Sequence, residues 1–160
     1  MKPLFLSSSS LLVLGLMAGC QNSQVGSEPS TSQKEPQVIE LTQTGCQFLE
    51  TEDKDYQFTT KSGEDCKKIN SQTLSDRKTG FKPLNLKAGD YIFRVTNRNV
   101  PYELGFYLRG EGSNQLTLPK VSGGGLTEGK TQDYPITLRP GNYVFSCPLN
   151  PTPDYPLVVQ

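Results

Sequence analysis

Gly141-Asn142-Tyr143-Val144-Phe145-Ser146-Cys147-Pro148 is the stretch whose reading decides the fold. Tyr143, Phe145 and Cys147 fall on one face of an extended chain and Val144 and Ser146 on the other, the period of two of a β-strand with an apolar side. An earlier segment uses the same wording. Leu86-Lys87-Ala88-Gly89-Asp90-Tyr91-Ile92-Phe93 parallels Leu138-Arg139-Pro140-Gly141-Asn142-Tyr143-Val144-Phe145. In each, glycine followed by Asp or Asn permits the positive φ of a tight turn just before a strand begins. Tyr91, Phe93 and Val95 then alternate with Ile92, Arg94 and Thr96. Two such turn-plus-strand units predict related places in one sandwich, although two copies are too few for a repeat array.

Working outward, Glu103 to Leu108 and Asp133 to Leu138 read as further strands, and Val38-Ile39-Glu40-Leu41 and Tyr56-Gln57-Phe58-Thr59 as two more near the front. Ser122-Gly123-Gly124-Gly125 reads as a flexible loop between strands. It is not a phosphate loop, because no Gly-Lys-Ser/Thr follows at the required spacing. Lys67 to Arg77 is compatible with one short helix or with an irregular loop, and both stay open. Short strands with closely spaced turn signals predict an all-β domain, an antiparallel Greek-key sandwich.

Over about Leu84 to Gln160 the chain resembles the cupredoxins. The resemblance is carried by a strand leading into Val95-Thr96-Asn97, then Asn99-Val100-Pro101 and Phe106, and by Gly141-Asn142-Tyr143-Val144-Phe145-Ser146-Cys147 leading into a proline-containing loop. In copper-carrying members such as plastocyanins, the first loop supplies a histidine after the proline, and the second supplies Cys, then His, then Met. Laid on this chain, that pattern puts Tyr102 at the first histidine, Cys147 at the copper cysteine, Asn150 at the second histidine and Tyr155 at the methionine. One ligand of four remains. A blue copper site needs two imidazoles and a thiolate in a trigonal set, and the sequence contains no histidine at all. What the resemblance implies is therefore a cupredoxin-like fold with no metal cofactor. An electron carrier holding copper through an atypical ligand set around Cys147 is the alternative.

Cys147 shares its face with Tyr143 and Phe145, which predicts a buried thiol rather than a reactive one; Ser146 and Pro148 supply no cation to lower its pKa. After it, Pro148, Pro151, Pro153 and Pro156 fix φ repeatedly and stiffen the loop. With Tyr102, Leu149 and Tyr155 nearby, this loop is a candidate partner surface. The alternative is that the prolines end strand pairing and the tyrosines close the core.

The remaining cysteines are Cys20, Cys46 and Cys66. Cys46 and Cys66 flank a polar segment with turn signals at Asp53 to Asp55 and Ser62-Gly63-Glu64, which predicts a disulfide between them; pairing of Cys147 with one of them is the alternative. No two cysteines have the close spacing of a zinc knuckle. At the front, one lysine, a short apolar run from Leu11 to Ala18 and the sequence Met17-Ala18-Gly19-Cys20 have the anatomy of a secretory signal. That ending resembles the bacterial lipobox, which implies removal of residues 1–19 and lipidation, such as palmitate, of Cys20. The apolar run is far shorter than the ~20 residues a membrane span needs. Residues 20–36 are Ser, Gln, Glu, Pro and Gly with little to bury, a flexible tether, leaving 37–160 as the folded domain. The expected setting is extracytoplasmic, lipid-anchored to a bacterial membrane, with an envelope protein as the candidate partner.

Acidic and basic residues balance at 16 each, with no basic cluster among aromatics, so nucleic acid is a poor partner. Without histidine there is no Ser/His/Asp arrangement, and no pairing of carboxylates such as Glu103 and Asp154 is legible. A non-enzymatic module is the expectation.

Overall fold

The computed structural model describes residues 35–160. Cys20, the expected signal segment and residues 20–34 of the expected tether lie outside the described residues. The strands are β1 (Gln37–Thr44), β2 (Gln47–Phe48), β3 (Leu84–Leu86), β4 (Gly89–Asn97), β5 (Leu104–Gly110), β6 (Val121–Leu126), β7 (Thr131–Leu138), β8 (Gly141–Ser146) and β9 (Tyr155–Val159), with the helix α1 (Gly63–Arg77) between β2 and β3. They form two sheets, in the orders β2-β1-β4-β7 and β3-β9-β8-β5-β6. Among the described residues no helix is long and apolar enough to cross a membrane.

The matched phrases mark an interior strand of each sheet, β4 in one and β8 in the other. Both opening glycines carry the positive φ the wording implies, Gly89 at 152° and Gly141 at 151°. At Gly141 a Cβ would also come within 2.7 Å of Leu118. Tyr91, Phe93 and Val95 turn inward from β4, and Tyr143, Phe145 and Cys147 inward from β8. Between the sheets the aromatic rings meet edge-on or tilted: Phe48 lies 5.2 Å from Phe145 and 5.8 Å from Tyr155, and Phe106 lies 5.1 Å from Tyr134. Such geometries add to the area they bury.

Four expectations change. The sandwich is not wholly antiparallel, since β1 runs parallel to β4 and β3 parallel to β9. Ser122 to Gly125 is strand, not loop: β6 pairs with β5, and its glycines let strands approach where a Cβ on Gly105 would lie 2.6 Å from the Gly123 carbonyl oxygen. Tyr56 to Thr59 is not strand, because Gln57 adopts a positive φ of 55° that breaks the extended run. Lys67 to Arg77 is helical, the later part of α1.

The helix is polar on every side, so ordinary amphipathic packing cannot dock it. Its start is set by Asp65, whose carboxylate accepts the backbone N–H groups of Lys61 and Ser62 at 2.8 and 3.1 Å. Two specific ties then hold it. Near its first turn, Cys66 is disulfide-bonded to Cys46 beside β2. At its last residue, Arg77 reaches into the interior and forms a bidentate pair with Glu52, Nε to Oε2 at 2.9 Å and Nη2 to Oε1 at 2.5 Å. Both side chains are 1% exposed. Arg77 also donates to the Cys46 carbonyl at 3.1 Å and to Asn70 Oδ1 at 2.6 Å, with Tyr56 and Phe58 against its guanidinium. Burial alone would weaken the Arg77 charge, but Glu52 outweighs it and holds the group protonated.

Candidate functional site at the Cys147 end

Two loops meet at one end of the sandwich, and a buried asparagine shapes each. Asn97 ends β4; its amide donates to the carbonyls of Val100, Tyr102 and Leu126 at 3.1, 3.3 and 3.0 Å, and its Oδ1 accepts Val100 N–H at 3.0 Å. That fixes the turn through Asn99, whose φ is 65°, and delivers Tyr102 inward. After β8, Cys147 N–H donates to Thr152 Oγ1 at 2.8 Å and Thr152 N–H to the Cys147 carbonyl at 3.2 Å, which closes the second loop over Asn150.

Cys147 is the unpaired cysteine among the described residues, and it is fully buried. Its sulfur accepts the backbone N–H of Gly105 at 3.2 Å and of Asn150 at 3.3 Å. Burial pushes its pKa above the ordinary thiol value, and these N–H groups offset that only in part, so the neutral thiol is the resting form.

Asn150, also fully buried, sits at the junction. Its Oδ1 accepts the Tyr102 hydroxyl at 2.9 Å and Cys46 N–H at 3.2 Å, and lies 3.1 Å from the Cys66 sulfur. Its amide donates to the Thr44 carbonyl at 2.8 Å. The Tyr102 hydroxyl is 3.2 Å from that of Thr60 and 3.8 Å from the Cys66 sulfur; burial raises its pKa, so it stays a neutral phenol. Tyr102, Cys147 and Asn150 therefore converge, as the two-loop resemblance requires. The fold is cupredoxin-like.

Three cupredoxin structures resemble the chain. Auracyanin B is 14% identical, covering 79% of this chain and 91% of that one at a TM-score of 0.49. An oxidised amicyanin variant is 18% identical over 49% of this chain and 69% of that one, TM-score 0.33. A reduced Cu(I) form of another amicyanin variant is 19% identical over 50% and 72%, TM-score 0.32. No protein-family model and no curated protein matches. The assignment of the cupredoxin-like end rests on the loop convergence rather than on these partial overlaps.

The fourth position does not join the cupredoxin-like site. Tyr155 was expected at the methionine place and on a partner surface, but it starts β9, is fully buried, and donates its hydroxyl to Glu52. Burial and the Glu52 carboxylate hold its pKa far above the ordinary phenol value. The proline-rich loop turns the chain inward there, so the exposed apolar surface at this end is Leu149, 48% exposed, beside a half-buried Tyr102. Leu149 and Pro148 wall a shallow groove of about 430 Å³ with Tyr107, Lys120 and the glycines of β6.

The residues present do not fit a blue copper centre. The Asn150 oxygen already accepts a phenol and an amide, Tyr102 is a neutral donor, and neither is an imidazole. Among the described residues no cluster of three or more His, Cys, Asp or Glu side chains has the arrangement of a metal site. Sequence reasoning missed the parts that replace the metal as a fastener, namely Asn97, Thr60, Glu52, Arg77 and the approach of Cys66 to Asn150. None carries a local signal, because each acts through partners distant in sequence.

Proposed function

We propose that this protein is an extracytoplasmic lipoprotein, anchored through Cys20, whose cupredoxin-like domain is a non-enzymatic binding or structural module that works without copper. The observation that carries this is the closed hydrogen-bond set at the Cys147 end. Where a copper protein leaves donor atoms free for the ion, here Tyr102 and Asn150 satisfy each other and Cys147 accepts backbone N–H groups. The Cys46–Cys66 disulfide, packed against the same asparagine, belongs to an oxidising compartment and supports export. The lipobox-like Met17-Ala18-Gly19-Cys20 supports the anchor. Histidine, the commonest general base, is missing from the whole sequence, which supports a non-catalytic role. Leu149 and the edge of Tyr102 are the surface offered to an envelope partner.

Copper titration of the purified protein tests the central point. The expected result is no visible charge-transfer band and no stoichiometric Cu(II). An intense band that disappears in Cys147→Ser would establish the electron-carrier alternative instead. Radiolabelled palmitate incorporation, expected in the wild type and lost in Cys20→Ser, tests the anchor separately.

A further inference from the structure

The edges of a sheet expose unpaired backbone groups, and proteins blunt them with short strands, proline or charge. Here β2 is two residues long, β3 is three residues behind Pro83, and β7 carries Asp133 and Pro135. The remaining edge is β6, Val121-Ser122-Gly123-Gly124-Gly125-Leu126, with neither proline nor charge and hydrogen-bonded on one side only, to β5.

Internal packing accounts for two of its three glycines. A Cβ on Gly123 would lie 2.9 Å from the Tyr134 ring, and Gly125 has a φ of 82°. Gly124 is different. It is exposed, its φ is ordinary, and a Cβ there would meet only the flexible Glu103 carboxylate at 3.0 Å and Leu149 Cδ1 at 4.0 Å. A bare backbone at an open edge suits the close approach of a second backbone.

We propose that β6 pairs antiparallel with β6 of a second copy of this chain, about a two-fold axis at Gly124. Antiparallel pairing about that residue sets Gly124 opposite the partner's Gly124 and Ser122 opposite the partner's Leu126. The same register sets Lys120 opposite the partner's Glu128, and two-fold symmetry makes that contact twice. Both residues are exposed, so opposite charges close the two ends of the paired ribbon. Leu149 stands beside Gly124 on the outer face, and the two copies of it flank the axis, where each is withdrawn from water. The interface deepens the binding reading by naming a partner, and it rests on that reading for Leu149 alone; the strand pairing stands on β6. An edge this short gives a weak, reversible dimer.

Sedimentation velocity of the full chain in detergent, over a concentration series, is the test. Concentration-dependent dimer is expected. Gly124→Cys is expected to form an intermolecular disulfide in air, whereas Ser122→Cys, facing a leucine, does not. Lys120→Glu sets like charges together twice and weakens the dimer about tenfold; Lys120→Glu with Glu128→Lys restores it. Thermal unfolding of each variant checks that the edge changes leave the fold intact. A chain that stays monomeric throughout, cross-linking of Ser122→Cys as ready as that of Gly124→Cys, or a charge-swapped pair no tighter than the single change overturns the proposal. Capture of a different envelope protein through Leu149 by a chain that stays monomeric overturns it too, while leaving the docking reading in place.

Discussion

Replacing Glu52 by glutamine keeps the shape of the side chain and removes its charge, which strands the Arg77 guanidinium in the interior. Both partners are 1% exposed, and Arg77 forms two of its hydrogen bonds to this one carboxylate. A buried cation left without its counter-ion costs about 3–5 kcal/mol. For a domain of this size each kcal/mol lowers the melting temperature by about 4 °C, so a fall of about 12–20 °C is expected. Thermal and urea unfolding followed by near-ultraviolet circular dichroism measure it. The internal control is Glu64→Gln, which breaks the exposed Glu64–Lys67 pair, 76% and 62% exposed, and is expected to cost less than about 1 kcal/mol. Replacing Glu52 and Arg77 together by methionine is expected to recover most of the loss, since two well-packed apolar chains leave no unpaired charge. If Glu52→Gln costs no more than Glu64→Gln, the pair is not the fastener described here.

Opening the Cys46–Cys66 disulfide, which joins residues 20 apart in sequence, is expected to cost about 3 kcal/mol through unfolded-chain entropy. Urea melts are expected to show this loss for the wild type in reductant, and the Cys46→Ala/Cys66→Ala protein is expected to be insensitive to reductant. Because the folded-state pKa of Cys147 is raised, the folded chain keeps a proton that the unfolded chain loses, so stability falls as pH rises past the ordinary thiol value of 9.0. Tyr102, Tyr134 and Tyr155, raised from 10.0, deepen the fall above that. Chemical denaturation across this range is expected to show the first part of the decline flattened in Cys147→Ala, and an unchanged profile would refute it. Finally, Tyr102→His combined with Asn150→His gives two imidazoles beside Cys147, and Cu(II) is then expected to produce an intense visible band. A folded double variant that stays colourless would show that the two loops do not hold the geometry of a copper site.

What was legible in the sequence was whatever repeats locally. The twin Gly-Asp and Gly-Asn phrases fixed β4 and β8, and the parity of Tyr143, Phe145 and Cys147 placed the thiol in the core. The strand β6 was illegible because glycine has little intrinsic preference for strands; its place comes from closeness to β5 and Tyr134. Tyr56 to Thr59 misled in the opposite sense, since aromatic and threonine residues have strand character but Gln57 turns left-handed. The parallel neighbours of β1 and β3 left no trace, as pairing direction depends on the path between strands. At the site, spacing located Tyr102, Cys147 and Asn150, whose loops stay short and local. Spacing failed for Tyr155, because the proline loop redirects the chain and Glu52, far away in sequence, captures the hydroxyl.

The parallel pairing of β9 with β3 has a consequence for the order of events during synthesis. β9 lies between β3 and β8, hydrogen-bonded to both, so the second sheet has a gap near its middle until residues 155–159 have emerged. Contacts this distant in sequence form slowly, and a half-made sheet offers few reasons to collapse early. The nascent chain is thus kept pliable through most of its production, which suits a polypeptide that must thread a narrow export channel before settling on the far side.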